Sequence, residues 1–161
     1  VNHLKQPNGT VFEYAPARNA MIQAIAAHMA RSGGFGLFID YGHSQAGFGD
    51  TLQAVHNHAF ANPLENPGEA DLTSHVDFEA LAHAARRESA QVSQIMEQGA
   101  FLTRLGIHER TQQLANAQPH LRDALETACE RLTGSEQMGS LFKVMGIAAP
   151  NVSLPALDSD R

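Results

Sequence analysis

From Pro16 to Ser32, the apolar residues Met21, Ile22, Ile25, Ala26 and Met29 recur with helical spacing, which predicts a helix with one buried face. Proline suits the first turn of such a helix, and Ser32-Gly33-Gly34 suits its end. Directly beyond lies an apolar run, Phe35 to Tyr41, that reads as a buried strand. Upstream, Val11 to Tyr14 reads as a short strand after an Asn8-Gly9 turn. Strand, helix and strand with short joints is α/β wiring. Open sheets of this kind bind ligands beyond the carboxyl ends of their strands. Asp40, Tyr41 and His43 therefore stand where a ligand would sit.

Further along, the pattern is more broken. Gly42 to Asp50 is a glycine-rich loop and Thr51 to Val55 reads as a strand. The stretch from His56 to Thr73 looks long and irregular, with turns at Asn62-Pro63 and Asn66-Pro67-Gly68. A loop of that length in a compact domain points to function. Asp77 is placed to cap a helix over Phe78 to Arg87. Gln91 to Met96 alternates weakly, and helices are expected over Ala100–Leu105, Glu109–Ala117 and Pro119–Leu132, with one turn at Ser135–Met138. Leu141 to Ile147 reads as a closing strand, with Lys143 solvated at a sheet edge. Asn151 to Arg161 is polar enough to be a frayed tail.

Composition narrows the classes. The chain has 161 residues, 43% of them hydrophobic, which suits one domain with its own core. A net charge of -6 and the lack of any basic cluster argue against a nucleic-acid surface. No apolar run is long enough to span a bilayer. The single cysteine, Cys129, has no partner for an intrachain disulfide and fits a reducing compartment. His43, His56, His58 and His75 raise the question of a metal, but lack the spacing of a structural zinc site, so none is expected. Because the chain starts at Val1 with a strand expected almost at once, we expect it to be a piece of a longer protein.

Taken in order, several motifs resemble one family. They are Gly36-Leu37-Phe38-Ile39-Asp40-Tyr41-Gly42-His43, then Gly49-Asp50-Thr51-Leu52-Gln53-Ala54-Val55 with His58. Asn66-Pro67-Gly68 and Asp71-Leu72-Thr73-Ser74-His75-Val76-Asp77-Phe78 follow, then Phe101-Leu102, Leu105-Gly106-Ile107 and Met138 to Val144. The set, over residues 11 to 147, resembles the carboxyl-terminal half of the MidA-like, S-adenosylmethionine-dependent methyltransferases. The resemblance implies the C-terminal part of a class I, Rossmann-like α/β fold with added helices, covering 1–150, and a flexible tail at 151–161. It implies a protein arginine as methyl acceptor, a protein partner such as a respiratory complex I subunit, and a bacterial cytoplasm or mitochondrial matrix. The family's glycine-rich cofactor loop is not found here: Gly33-Gly34 and Gly47-Phe48-Gly49 do not sit between a strand and a helix. Binding of S-adenosylmethionine by this chain alone is therefore not expected. One departure lies inside the match, where Glu97-Gln98-Gly99 replaces a Thr-Gln-Gly run.

On this reading Asp40, His43 and His75 are the candidate catalytic residues, and Tyr41, Asp50, His58, Asp71, Thr73 and Asp77 the candidate substrate-binding residues. A guanidinium is very basic, so arginine methylation must shed a proton, and an imidazole or carboxylate nearby serves that need. Each residue also has a structural account: Asp40 as a loop cap, Tyr41 as packing, His43 as a surface residue, Asp77 as a helix cap. A non-enzymatic alternative is an interaction module in which the edge of Phe35–Tyr41 recruits a second copy. A hydrolase using His43 and Asp77 is set aside, because no serine or cysteine sits on a sharp strand-to-helix turn.

Overall fold

The computed structural model describes residues 6–154, 156 and 157. Helix α1 (Pro16–Ser32) opens on its proline, as expected, and closes where the Gly33 amide donates to Met29. Gly33 and Gly34, at φ 83° and 102°, turn the chain straight into β1 (Phe35–His43). Both φ values lie where a side chain is disfavoured, which accounts for the glycine pair. Strands β2 (Gln53–His56), β3 (Ala59–Ala61), β4 (Asp71–Thr73) and β5 (Val76–Asp77) follow, then α2 (Phe78–Arg86). Short strands β6 (Gln91–Val92) and β7 (Met96–Glu97) precede α3 (Gln98–Arg104), α4 (Ile107–Ala117), a 3-10 turn at Pro119–Leu121, α5 (Arg122–Thr133), α6 (Met138–Leu141) and β8 (Phe142–Ala148).

Two sheets form from the described strands. The larger runs β5-β1-β8-β6, with β7 also on β8. β1 and β8 are antiparallel over seven residue pairs, from Phe35↔Ala148 to Tyr41↔Phe142. On its other side β1 pairs only at its end, parallel to β5, through Gly42↔Val76 and His43↔Asp77. The sheet is mixed; β8 is covered on both faces, whereas β1, which reads as a buried strand, leaves Phe35, Leu37 and Ile39 exposed on one. On one face Met145 and Ile147 pack with Ile22 and Ala26 of α1 and Phe78 and Leu81 of α2. On the other, Val144 and Ala148 pack with Phe101, Leu154 and Leu157. The smaller sheet, β3-β2-β4, is a separate leaf between β1 and β5 in sequence.

Five further expectations change. Val11 to Tyr14 is not a strand, although the Gly49 amide donates to the Val11 carbonyl. The irregular stretch 56–73 contains β3 and β4, because Asn57 and His58, at φ 50° and 63°, make a two-residue hairpin turn. Such turns need two left-handed residues, and histidine in the place of glycine hid the signal. Met21 of α1 is 66% exposed rather than buried. Lys143 is not on an edge, since β8 is paired on both sides; its ammonium donates to the Ser140 carbonyl. Residues 151–161 were expected to fray, yet Leu154 and Leu157 are 2% and 3% exposed, docked where Gly146 leaves room. The rest of that stretch, Pro155 and 158–161, lies outside the described residues.

The altered family turn is also explained. Gln98 is buried and donates to the Leu132 carbonyl at 2.9 Å, and a side chain on Gly99 would strike the Thr133 carbonyl. The substituted position, Glu97, is exposed at the start of α3, where a carboxylate suits the helix dipole. The chemistry of this turn is therefore architectural, carried by Gln98 and Gly99.

If the docked leucines hold the outer face of β8, Leu157→Ala costs about 2 kcal/mol by leaving a cavity. That lowers Tm by roughly 4–8 °C for a chain of this size, read by calorimetry. An unchanged Tm is the result that a free tail gives.

Candidate active site

The end of β1 organises the site. Gly42 is buried, and a Cβ there would fall within 3.0 Å of the Val76 backbone. The backbones of β1 and β5 thus meet with no side chain between them, and each then leaves the sheet with its polar residues. His43 continues into the loop to Asp50, while Asp77 caps α2, its Oδ1 accepting from the Ala80 amide at 2.9 Å. Around this junction lies a cavity of about 610 Å³. Its walls include His43, His75 and Asp77, the aromatic rings of Phe12, Tyr14 and Phe48, and Glu13, Arg18 and Thr51.

Hydrogen bonds to backbone hold these walls in place. Glu13 accepts from the Thr51 amide at 2.8 Å and from the Thr51 hydroxyl at 2.5 Å. That hydroxyl accepts in turn from the His75 amide at 2.9 Å. On the other side of the same residue, Arg18 donates to the His75 carbonyl at 3.1 Å and to the Ser74 hydroxyl at 3.2 Å. His75 is thus gripped through both of its own backbone polar groups. Its ring lies 5.8 Å from that of Tyr41, which also meets Phe142 edge-on at 5.6 Å. Glu79 of α2 accepts from the Ala46 amide at 2.6 Å and ties down the loop after β1. Phe12 and Phe48 close the far wall with ring centroids 5.7 Å apart.

Partial burial raises the Glu13 carboxyl pKa. The bonds from the Thr51 hydroxyl and amide, then the Leu52 amide and the charge of His75, lower it by more, so it ends below the ordinary carboxylate value of 4.5. A group with a lowered folded pKa stabilises above its ordinary value, and that stabilisation disappears as pH falls through the folded one.

The expected residues divide between two depressions. His43, His75 and Asp77 converge on the cavity. Asp40, Tyr41 and Thr73 line a neighbouring groove of about 550 Å³ that runs along the unpaired edge of β1, beside α1. Asp40 also spends Oδ1 on the Tyr41 amide at 2.9 Å, the loop-capping role. Asp50, His58 and Asp71 line neither depression; His58 is in the β2–β3 turn and Asp71 is exposed on β4. Arg18 and Ser74 line both. Sequence reasoning missed Glu13, Arg18 and Thr51, whose partners lie 24 to 57 residues away. Among the described residues, no group of three His, Cys, Asp or Glu could hold a metal ion, and no helix is long and apolar enough to cross a membrane.

Gly33-Gly34 joins a helix to a strand, and Gly47-Phe48-Gly49 sits in a loop before β2. Among the described residues no glycine-rich turn leads from a strand into a helix, so these side chains alone do not fit a family-type donor site.

Glu13→Gln exchanges one charge-assisted anchor for a weaker one. Losing about 1 kcal/mol makes the Thr51 amide exchange roughly fivefold faster at pH 7 in hydrogen-exchange mass spectrometry. In the unaltered chain the same loosening is expected as pH falls below 4.5, and in Glu13→Gln that step is absent.

Comparison with known proteins agrees with this architecture. The family described as S-adenosyl-L-methionine-dependent methyltransferase matches residues 1–96. A Drosophila melanogaster relative, protein arginine methyltransferase NDUFAF7 homolog, mitochondrial, is 36% identical over 91% of this chain and 33% of its own. The Rattus norvegicus and Homo sapiens NDUFAF7 proteins are 33% and 31% identical over 81% and 84% of this chain, and 30% and 31% of their own. The chain thus spans about a third of the length of these relatives. A solved Burkholderia thailandensis structure superposes with TM-score 0.77 at 24% identity, over 88% of this chain and 39% of that one. A second, bound to S-adenosyl-homocysteine, gives TM-score 0.74 at 24% identity over 91% of this chain and 38% of that one. The shared fold and the matched sequence together mean that the chain belongs to the MidA-like family of S-adenosylmethionine-dependent methyltransferases.

Proposed function

We propose that this chain is the acceptor-side part, residues 1–150, of a methyltransferase domain that modifies an arginine in a protein substrate. The observation that carries the proposal is the convergence of His43, His75 and Asp77 on one cavity just beyond β1. Tyr14, 72% exposed at its rim, and the Phe12–Phe48 pair supply ring faces against which a guanidinium packs well. The methyl donor, S-adenosylmethionine, supplies an activated methyl group and is held by residues outside this chain. An arginine methylated here would bond its nitrogen to that methyl as the methyl's bond to sulfur broke, and would have to lose one proton. His43 or His75 takes the proton, and Asp77 offers the carboxylate oxygen that its cap does not use. The clamps on His75 keep that ring in place, so that alignment does most of the catalytic work.

On the family resemblance, the parent protein works in a mitochondrial matrix or a bacterial cytoplasm, with a respiratory complex I subunit as substrate; relatives named as mitochondrial support the first location. A second reading rests on the open side of β1. Phe35 is 62% exposed, and Leu37 and Ile39 are also exposed beside that unpaired edge. An apolar edge of this kind pairs with another strand, here that of a second copy.

Titration calorimetry of this chain with S-adenosylmethionine should give little or no binding heat; tight binding would place the donor site here and refute the proposal. In the full-length parent enzyme, His43→Ala and His75→Ala together should lower arginine methylation about 100-fold or more, whereas full activity removes the cavity from the chemistry. For the second reading, light scattering should find dimers; a monomer at high concentration counts against it.

A further inference from the structure

The β3-β2-β4 leaf carries apolar side chains that no part of the described chain covers. Phe60 and Leu64 are 81% and 85% exposed. Val55 pairs with Phe60 on one side and Asp71 on the other, so the three form one cross-strand row on a single face of the leaf. The charge around that row is one-sided. Between Arg31 and Arg86 the chain has seven carboxylates and neither Lys nor Arg. Three of those carboxylates are exposed at the leaf: Asp71 on β4, and Glu65 and Glu69 on the connection from β3 to β4.

The leaf also connects to the cavity. β4 ends at Thr73, and the next two residues, Ser74 and His75, line the cavity wall. From Asp71 to His75 is four residues, at most about 14 Å of extended chain. An extended peptide with one residue in the cavity therefore reaches Asp71 with a residue about four positions away.

We propose that this leaf is a docking platform for the substrate polypeptide. Its occupant is an extended basic segment: apolar residues lie on the Phe60–Val55 part of the row, and an Arg or Lys pairs with Asp71. The proposal rests on the acceptor-side reading above and adds what the enzyme recognises around its target arginine. A second copy of this chain fits poorly, because it brings the same carboxylates to the same face and the whole chain carries a net charge of -6. An anionic lipid surface is repelled for the same reason.

The test uses this chain without methyl donor, at pH 8, where histidines carry little charge. Two fluorescein-labelled peptides serve as probes, Arg-Ala-Leu-Ala-Arg-Ala-Leu-Ala-Arg and the same sequence with Glu at both ends. Fluorescence anisotropy should show the basic peptide binding at least about tenfold tighter, with the difference shrinking as NaCl rises from about 0.05 M to 0.5 M. Phe60→Ser and Asp71→Asn should each weaken binding about threefold or more. Both side chains are exposed, so both variants keep the fold, which circular dichroism checks. Equal binding of the two peptides, no binding of either, or indifference to both substitutions overturns the proposal. So does a dimer that Phe60→Ser dissociates, since a second copy then owns the face. The assay involves no methyl transfer, so its failure is separable from that of the catalytic reading. Peptide that binds the leaf but is never methylated by the parent enzyme sinks the latter alone.

Discussion

A missing side chain decides where this protein has a site. β1 can serve two neighbours at its carboxyl end only because Gly42 lets the Val76 backbone approach within a distance that no Cβ tolerates. β8 is the long-range partner, paired along the whole apolar run. β5 is the local one, gained in just two residue pairs. Those pairs bring the loop after β1 and the start of α2 to one point. Without them His43 and Asp77 would leave the sheet in unrelated directions, and the cavity would have no floor.

What the glycine makes possible, a set of side chains then secures. Glu13, Arg18, Thr51 and Glu79 all bind backbone groups of the segments that wall the cavity. None of these bonds uses the imidazole of His43 or His75, so ordinary polar residues supply the rigidity. Buried backbone groups need partners in any case, so the clamps meet that requirement and fix geometry at the same time. Arg18 and Ser74 belong to both the cavity wall and the groove along β1. Whatever strand pairs with the open edge of β1 therefore touches the residues that hold His75.

Much of this plan was legible from residue order. The helix over Pro16–Ser32, the strand that follows, the Asp77 cap and the closing strand all rest on local signals: periodicity, proline, glycine and a capping carboxylate. Of the leaf only β2 was legible, because Asn57-His58 turns the hairpin into β3 without glycine. Nor was the docking of Leu154 and Leu157, two isolated leucines whose room is made by Gly146 on a distant strand. The site was half visible. His43, His75 and Asp77 stand out as chemistry-bearing residues beside strand or helix ends. Asp40 and Tyr41 follow the same logic but line the groove instead, because they precede Gly42, the point at which β1 meets β5 and the chain enters the cavity wall. Glu13, Arg18 and Thr51 carry no local signature, for their meaning lies in partners brought close only by the fold.

The central claim is that backbone contact at Gly42 assembles the cavity while the β1–β8 ladder stands independently. Residue-resolved hydrogen exchange on Gly42→Ala tests it most directly. The account predicts that amides of His75, Thr51 and Ala80 lose protection while those of Phe38, Met145 and Ile147, which bond across the β1–β8 ladder, keep theirs. Protection retained at both sets of residues, or lost equally at both, would contradict it.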